Sequence, residues 1–305
     1  MEVNASVSYP CDLCGMSDPK VILAGINPTN LTDTERYKSS SKDFCTEPLV
    51  ECKGCGLVFI SPRRSDEEIQ KAYQAGEDWD YVSQQTPRMK SFEKVLDKIE
   101  RYYPKRGSIL DIGAGAGFFL AVAKQRGWQT DGIELNSWLG DYGAEKFGLR
   151  IQDRPLVAGV FPEKSFDVVT LWDVLEHVPH PSQTLQVVKG LLKPGGLVAL
   201  SYPDWGSIFA RALKRHWWFC LSVHLYYFTP KSIRALLENQ GFEVVHTSRY
   251  YQSLELQYLF ERMKQYSPTL GSMGKSLTQK FMGENMAVPY YASQKMVVAR
   301  IPLEV

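Results

Sequence analysis

The stretch Ser108-Ile-Leu-Asp111-Ile-Gly113-Ala114-Gly115-Ala-Gly117-Phe118-Phe119 runs from an apolar, β-branched segment through three alternating glycines into a second apolar segment. It predicts a strand, a tight turn and a helix. Bare backbone at the three glycines lets a ligand come close to the N-terminus of that helix, where unpaired amides point outward. The spacing speaks against a dinucleotide site and excludes a triphosphate loop. A dinucleotide turn needs a small residue where Phe118 stands, and the glycine turn does not end in the lysine and serine or threonine that hold a nucleoside triphosphate.

Outward from the turn, apolar runs alternate with amphipathic ones. Strands are expected at 108–113, 129–135, 166–172 and 196–202, and helices at 117–126, 137–147, 182–192 and 230–240. That alternation builds a parallel sheet covered on both faces. The last helix is bounded by a Thr229 cap, Pro230 in its first turn and Gly241 beyond its end. A strand from Phe242 to His246, reaching toward Tyr250, and a final one from Gln294 to Ile301 follow, with 253–292 left as an insertion. Upstream, Leu57–Ile60 reads as a short strand and Ser65 starts a helix with acidic residues in its first turn. Residues 88–103 place Met89, Phe92, Val95, Leu96, Ile99 and Tyr103 on one helical stripe ending before Pro104.

Glu134 ends the second strand of the alternation, where a carboxylate can accept bonds from both hydroxyls of a ribose. This position suits NAD and S-adenosylmethionine equally. Four stretches taken in order, DIGAGAGFF, GIELN, FDVVTLWDVLEHV and LLKPGGLVALSYP, resemble the successive motifs of class I S-adenosylmethionine-dependent methyltransferases over about residues 90–250. The resemblance implies a Rossmann-like α/β sheet with helices on both faces. It also implies that Gly113, Ala114, Gly115, Gly117 and Phe118 pack against the methionine part of the cofactor, and that Glu134 and Leu135 take the ribose. By the same resemblance Asp153 stands near the adenine, and Asp111 fixes the glycine turn and the ammonium group. Apart from the resemblance, Trp172 and Asp173 at the strand end are expected to border the cofactor, and Tyr81 and Arg88, near the helix before the sheet, are candidates for covering it.

Four of the six cysteines form the pairs Cys11-Asp-Leu-Cys14-Gly15 and Cys52-Lys-Gly-Cys55-Gly56. Two such turns converge four thiolates into a tetrahedron, the signature of a zinc ribbon with a structural ion. Disulfides, a redox pair or iron fit the pattern less well. Cys45 and Cys220 show no partner pattern and read as ordinary packed or surface thiols. A cysteine-rich module ahead of such a domain is similar to bacterial methyltransferases of sugar and polysaccharide pathways. The segment around Trp205, Trp217, Trp218 and His224–Pro230 also resembles ubiquinone-pathway O-methyltransferases.

A sulfonium methyl is already activated, so transfer needs alignment of the acceptor and removal of its proton. His177 follows the strand 166–172 at its C-terminal end, which faces the ligand crevice of an open α/β sheet. It is one candidate base and His224 is the other. Glu176 either orients His177 or joins it as a metal ligand, whereas His180, between two prolines, reads as exposed punctuation.

The expected organisation is a zinc-binding module over 1–62, a helical linker over 63–104, and a methyltransferase domain over 105–305 carrying a lid-like segment at 204–228. Composition bounds the partners. With 44% hydrophobic and 23% charged residues the chain is globular, and a net charge of +1 gives little attraction for extended nucleic acid. No apolar run is long enough to span a bilayer, and the first residues lack the pattern of a secretion signal, so a cytoplasmic protein is expected. The acceptor implied is a small molecule, a sugar or nucleotide sugar first and a phenol or quinone second. An RNA methyltransferase, an inactive binding protein of this fold and a dehydrogenase stay as rivals.

Overall fold

The computed structural model describes residues 7–26, 40, 43–74, 76–264, 266–281 and 286–303. Three short strands come first: β1 (Pro19–Leu23), β2 (Leu49–Cys52) and β3 (Val58–Ile60), followed by helices α1 (Asp66–Tyr73), α2 (Trp79–Ser83) and α3 (Gln85–Tyr102). The alternation then runs through β4 (Ser108–Ile112), α4 (Phe118–Gln125), β5 (Gln129–Ile133), α5 (Ser137–Phe147), β6 (Ile151–Gln152), β7 (Phe166–Trp172), α6 (Pro181–Leu191) and β8 (Leu192–Pro203). After α7 (Ile208–Leu213), β9 (Tyr226–Tyr227) and α8 (Pro230–Asn239) come the long strand β10 (Glu243–Glu255), helices α9 (Leu256–Met263) and α10 (Pro268–Phe281), and β11 (Ala287–Arg300).

The main sheet has the order β10-β11-β8-β7-β4-β5-β6. Strands β6, β5, β4, β7 and β8 are parallel, and β11 runs antiparallel between β8 and β10. Strand alternation divides the core into two layers. Leu110, Ile112, Val169 and Leu171 pack with Leu185 and Val188 of α6, while Ile109 and Val168 pack with Leu96, Ile99 and Phe119 of the opposite helices. Each fully buried Leu or Phe in these layers stabilises the fold by about 1.5–3 kcal/mol. The Rossmann-like sheet expected from the glycine stretch is the sheet observed.

Two regions take a form that the sequence pattern did not give. The segment 253–292 opens and closes as paired strand, with Ser253 opposite Pro289 and Glu255 opposite Ala287, and α9 and α10 lie between. The segment 204–228 packs inward: Trp217 and Cys220 are fully buried with Leu49, Val58 and Ile60, and β9 pairs with β3. The N-terminal strands therefore form one four-stranded sheet with a strand from beyond residue 220, in the order β1-β2-β3-β9. Among the described residues no helix is long and apolar enough to cross a membrane.

Candidate active site

The C-terminal ends of β4 and β7 open into a cavity of about 1050 Å³. The glycine turn forms its floor. Gly113, Gly115 and Gly117 have φ of +68°, +52° and +71°, and a Cβ on Gly115 would stand 2.8 Å from the Tyr81 hydroxyl, so the backbone there carries no substituent without strain. Glu134 is fixed over this turn: its Oε2 accepts from the Gly115 amide at 2.7 Å and its Oε1 from the Asn136 amide at 2.8 Å. Each carboxylate oxygen keeps a second lone pair for a ligand hydroxyl.

Asp111 lies under the same end, buried, with one bond from the Thr170 hydroxyl at 2.6 Å. Burial, opposed by Thr170 and reinforced by Glu134, pushes its pKa up to about 8. A cationic ligand would reverse that shift, so these carboxylates suit an ammonium group and ribose hydroxyls. Tyr81 stacks on Phe118 with centroids 5.5 Å apart, and the Arg88 guanidinium lies 4.4 Å above the Tyr81 ring. Arg88 faces the cavity with an Nε that has no partner among the described residues, ready for a carboxylate. Together these groups offer partners for an ammonium group, a carboxylate and a pair of ribose hydroxyls.

Asp111, Gly113, Ala114, Gly115, Glu134, Leu135, Tyr81, Trp172 and Asp173 all line the cavity. Gly117 and Phe118 do not. Gly117 begins α4 against Leu149, and the buried Phe118 supports Tyr81 from beneath. Asp153 is exposed after the short β6 and stays off the wall, which is made at that point by Pro155, Leu156, Val157 and Ala158. Asp173, at φ +54°, is held by Ser201 at 2.7 Å and Gln294 at 2.8 Å.

Beyond Asp173 the loop turns Glu176 and His177 toward His224. The two rings meet edge to face with centroids 4.6 Å apart, and one ligand atom each from Glu176, His177 and His224 lie within 4.8 Å of one another. His177 Nδ1 is 3.0 Å from the Val223 carbonyl and 2.7 Å from the Tyr73 hydroxyl, and His224 Nδ1 is 2.8 Å from the Phe219 carbonyl. A carbonyl only accepts, so both Nδ1 atoms carry the proton and both Nε2 atoms present lone pairs. Burial lowers the pKa of His177 to about 4, with the Val223 carbonyl opposing, and also lowers that of His224, helped by His177. Glu176 is buried, neither of its oxygens has a partner among the described residues, and burial holds its pKa well above the carboxylate range. It makes no hydrogen bond to His177.

Three further observations depart from the sequence reading or add to it. His180 is tied to Asp66 at 2.6 Å and lines the cavity rather than standing free. Cys45 and Cys220 face each other beside the bridge between Phe44 and Leu221, with the Cys45 amide donating to the Cys220 carbonyl at 2.8 Å. The far wall comes from residues with no prior signal: Tyr73, Tyr250, Tyr258, Tyr290 and Gln252.

The two cysteine turns are built alike. Gly15 and Gly56, at φ +75° and +77°, donate to the carbonyls of Cys11 and Cys52 at 2.7 and 2.9 Å. Sγ of Cys11 lies 3.5 Å from that of Cys55, and Sγ of Cys14 lies 3.4 Å from that of Cys52, with all four within 4.8 Å. Zinc bonds of about 2.3 Å place tetrahedral sulfurs about 3.8 Å apart, so the donor set fits that ion.

Residues 81–247, more than half of the chain, match the family model described as a methyltransferase domain. A ubiquinone biosynthesis O-methyltransferase of Stutzerimonas stutzeri is 32% identical over 131 residues, 40% of this chain and 56% of that protein. The Aeromonas salmonicida protein of the same name is 32% identical over 113 residues, 35% of this chain and 47% of that one. The chain thus spans about half the length of these curated relatives. A methyltransferase from Haloferax volcanii, solved with a methyltransferase activator, superposes with a TM-score of 0.53 at 13% identity, covering 79% of this chain and 99% of that one. A methyltransferase dependent on S-adenosylmethionine from Archaeoglobus fulgidus gives 0.50 at 18%, covering 73% and 100%. At such identity these two show the fold alone. The family match, with the order of strands around the glycine turn, makes this chain a member of the class I S-adenosylmethionine-dependent methyltransferases.

Proposed function

We propose that the chain transfers a methyl group to a hydroxyl of a small ring-bearing acceptor, with His177 taking the hydroxyl proton. The observation that carries this reading is the continuity of one cavity from Asp111, Gly113 and Glu134 to His177 and His224. S-adenosylmethionine supplies a methyl group already activated on a positive sulfur. The chain's own residues have to align the acceptor and receive its proton. His177, with a pKa near 4, is neutral at working pH and offers Nε2. A weak base suffices, because the hydroxyl becomes strongly acidic as its oxygen bonds the methyl carbon. Tyr73 and the Val223 carbonyl hold the ring in that tautomer, and the His224 Nε2 is a second acceptor beside it.

We assign the acceptor to sugars and glycan-related metabolites. The reading is supported by the cysteine module ahead of the domain and by a wall of Tyr258, Tyr290, Trp218 and Gln252, which suits ring faces and hydroxyls. A phenolic acceptor is the second reading, supported by the names of the relatives. The four cysteines hold a structural zinc in both. A divalent cation on Glu176, His177 and His224 would change how the proton leaves, and the two unpartnered Glu176 oxygens support it. Labelled methyl transfer onto a panel of nucleotide sugars and phenols separates the two acceptor classes. Binding of S-adenosylmethionine without transfer to either class would sink both. Transfer that dies under a mild chelator sparing the thiolate site, and returns with an added transition-metal divalent cation, favours the cation over the bare histidine.

A further inference from the structure

We propose that Asp12, inside the first cysteine turn, is a positioning residue for the His177 loop, coupling the zinc-fitting site to the reacting end of the cavity. This rests on the reading in which His177 takes the acceptor's proton. Helix α6 follows that loop, and its cap position, His180, gives no side-chain bond to the helix amides. Pro181 has no amide to satisfy, so the first exposed donor is that of Ser182. Asp12 meets it from the other module: its Oδ2 accepts from the Ser182 amide at 2.8 Å and from the Ser182 hydroxyl at 2.6 Å, and its carbonyl accepts from the same hydroxyl at 2.9 Å.

A carboxylate here also faces the positive end of the helix. Asp12 in turn is held by its neighbours, since the Cys11 amide donates to the Met16 carbonyl and Gly15 donates back to Cys11. A closed sulfur tetrahedron fixes that turn as a unit. The loop is gripped at a second point by Arg63, just beyond the module and bridged to its Val7, which donates to the Pro179 carbonyl at 3.0 Å. The Tyr226 hydroxyl reaches that carbonyl at 2.9 Å. The loop bearing Glu176 and His177 is thus clamped from the cysteine side at both Pro179 and Ser182.

The test is amide hydrogen exchange of the full chain, with zinc content and kinetics measured alongside. Asp12→Ala should speed exchange at Ser182, and at Thr184 whose amide donates to the His180 carbonyl, by about 5- to 30-fold, the loss expected of a helix cap. Its kcat should fall several-fold while bound zinc and the affinity for S-adenosylmethionine hold. Asp12→Asn, which keeps an acceptor oxygen, should restore most of both. Chelating the zinc should loosen the same amides in the unaltered protein and add little in Asp12→Ala, since the coupling is already cut. If Asp12→Ala sheds its zinc, Ser182→Ala is read in its place and should raise exchange at Thr184 with zinc retained. Unchanged exchange in these variants, or equal loosening by chelation with and without Asp12, overturns the proposal. Exchange needs no acceptor, so failure to find methyl transfer leaves this outcome separately readable.

Discussion

At the end of the cavity nearest Gly113, much of the lining comes from two short runs, 111–115 and 133–135, joined by Tyr81 and Arg88, and the Gly115 and Asn136 amides fix Glu134. At the other end Tyr73, His177, His224, Tyr258 and Gln294 arrive from separate elements between residues 73 and 294, and side chains do the positioning. Nor do the ends share an electrostatic character. The first gathers carboxylates that a cation would relieve, and the second gathers neutral lone pairs. A binding end and a reacting end should accordingly fail in different ways when altered.

The largest effect should come from His177→Ala, which ought to lower kcat by about 10²- to 10⁴-fold in labelled methyl transfer. Its affinity for S-adenosylmethionine, read by calorimetry, should not move. A variant with near-normal turnover would move the proton acceptor to His224 and redraw the comparison. Glu134→Ala should do the converse, weakening S-adenosylmethionine by about 10- to 100-fold through the loss of charge-assisted bonds, with transfer at saturation far less affected.

Stability against pH gives a third test, with opposite signs at the two ends. The folded pKa of His177, about 4, lies below its ordinary 6.5, so the unfolded chain takes up the proton first. Its contribution is present above pH 6.5 and is lost as pH falls toward 4. Asp111, at about 8 against 3.8, contributes fully below pH 3.8 and loses that contribution as pH rises through 8. Thermal melts without cofactor should therefore show Asp111→Asn gaining a few degrees over the unaltered chain as pH rises from 5 to 8. His177→Gln should narrow the acid-side loss. Equal melting curves for Asp111→Asn at every pH would remove the carboxylate from the account. The smallest effect should be that of Lys53→Ala, which removes a pair with Asp18 at 2.6 Å that is exposed on both sides and lies away from both ends. A change in melting within about 1 kcal/mol is expected.

The same contrast explains what the amino-acid sequence disclosed. Backbone contacts need small residues and fixed spacing, so Gly113, Gly115 and Glu134 stood out, as did α8 with Thr229 and Pro230 at its start. The binding end was legible because it is local. Asp153 was placed by analogy of position, but it falls in an exposed turn where Pro155–Ala158 supply the wall. The ends of β10 and β11 hid because Tyr250, Gln252, Tyr290 and Gln294 turn toward the cavity and break the apolar alternation of a half-buried strand. Tyr73 and Asp12 gave no signal, since each acts only through a residue more than a hundred positions away.

The pairing of β3 with Tyr226–Tyr227 bears on the order in which the chain is made. During synthesis from the N-terminus, the cysteine turns emerge long before the strand that completes their sheet. Until residue 227 is out, Phe59 and its neighbours present an open strand edge, a template for pairing with other chains. A shortened protein beginning after residue 64 would carry the complementary fault, with Tyr226 and Tyr227 stripped of their partner. The cysteine region is therefore no detachable cassette, and the early and late parts of the chain depend on each other for solubility as it is born.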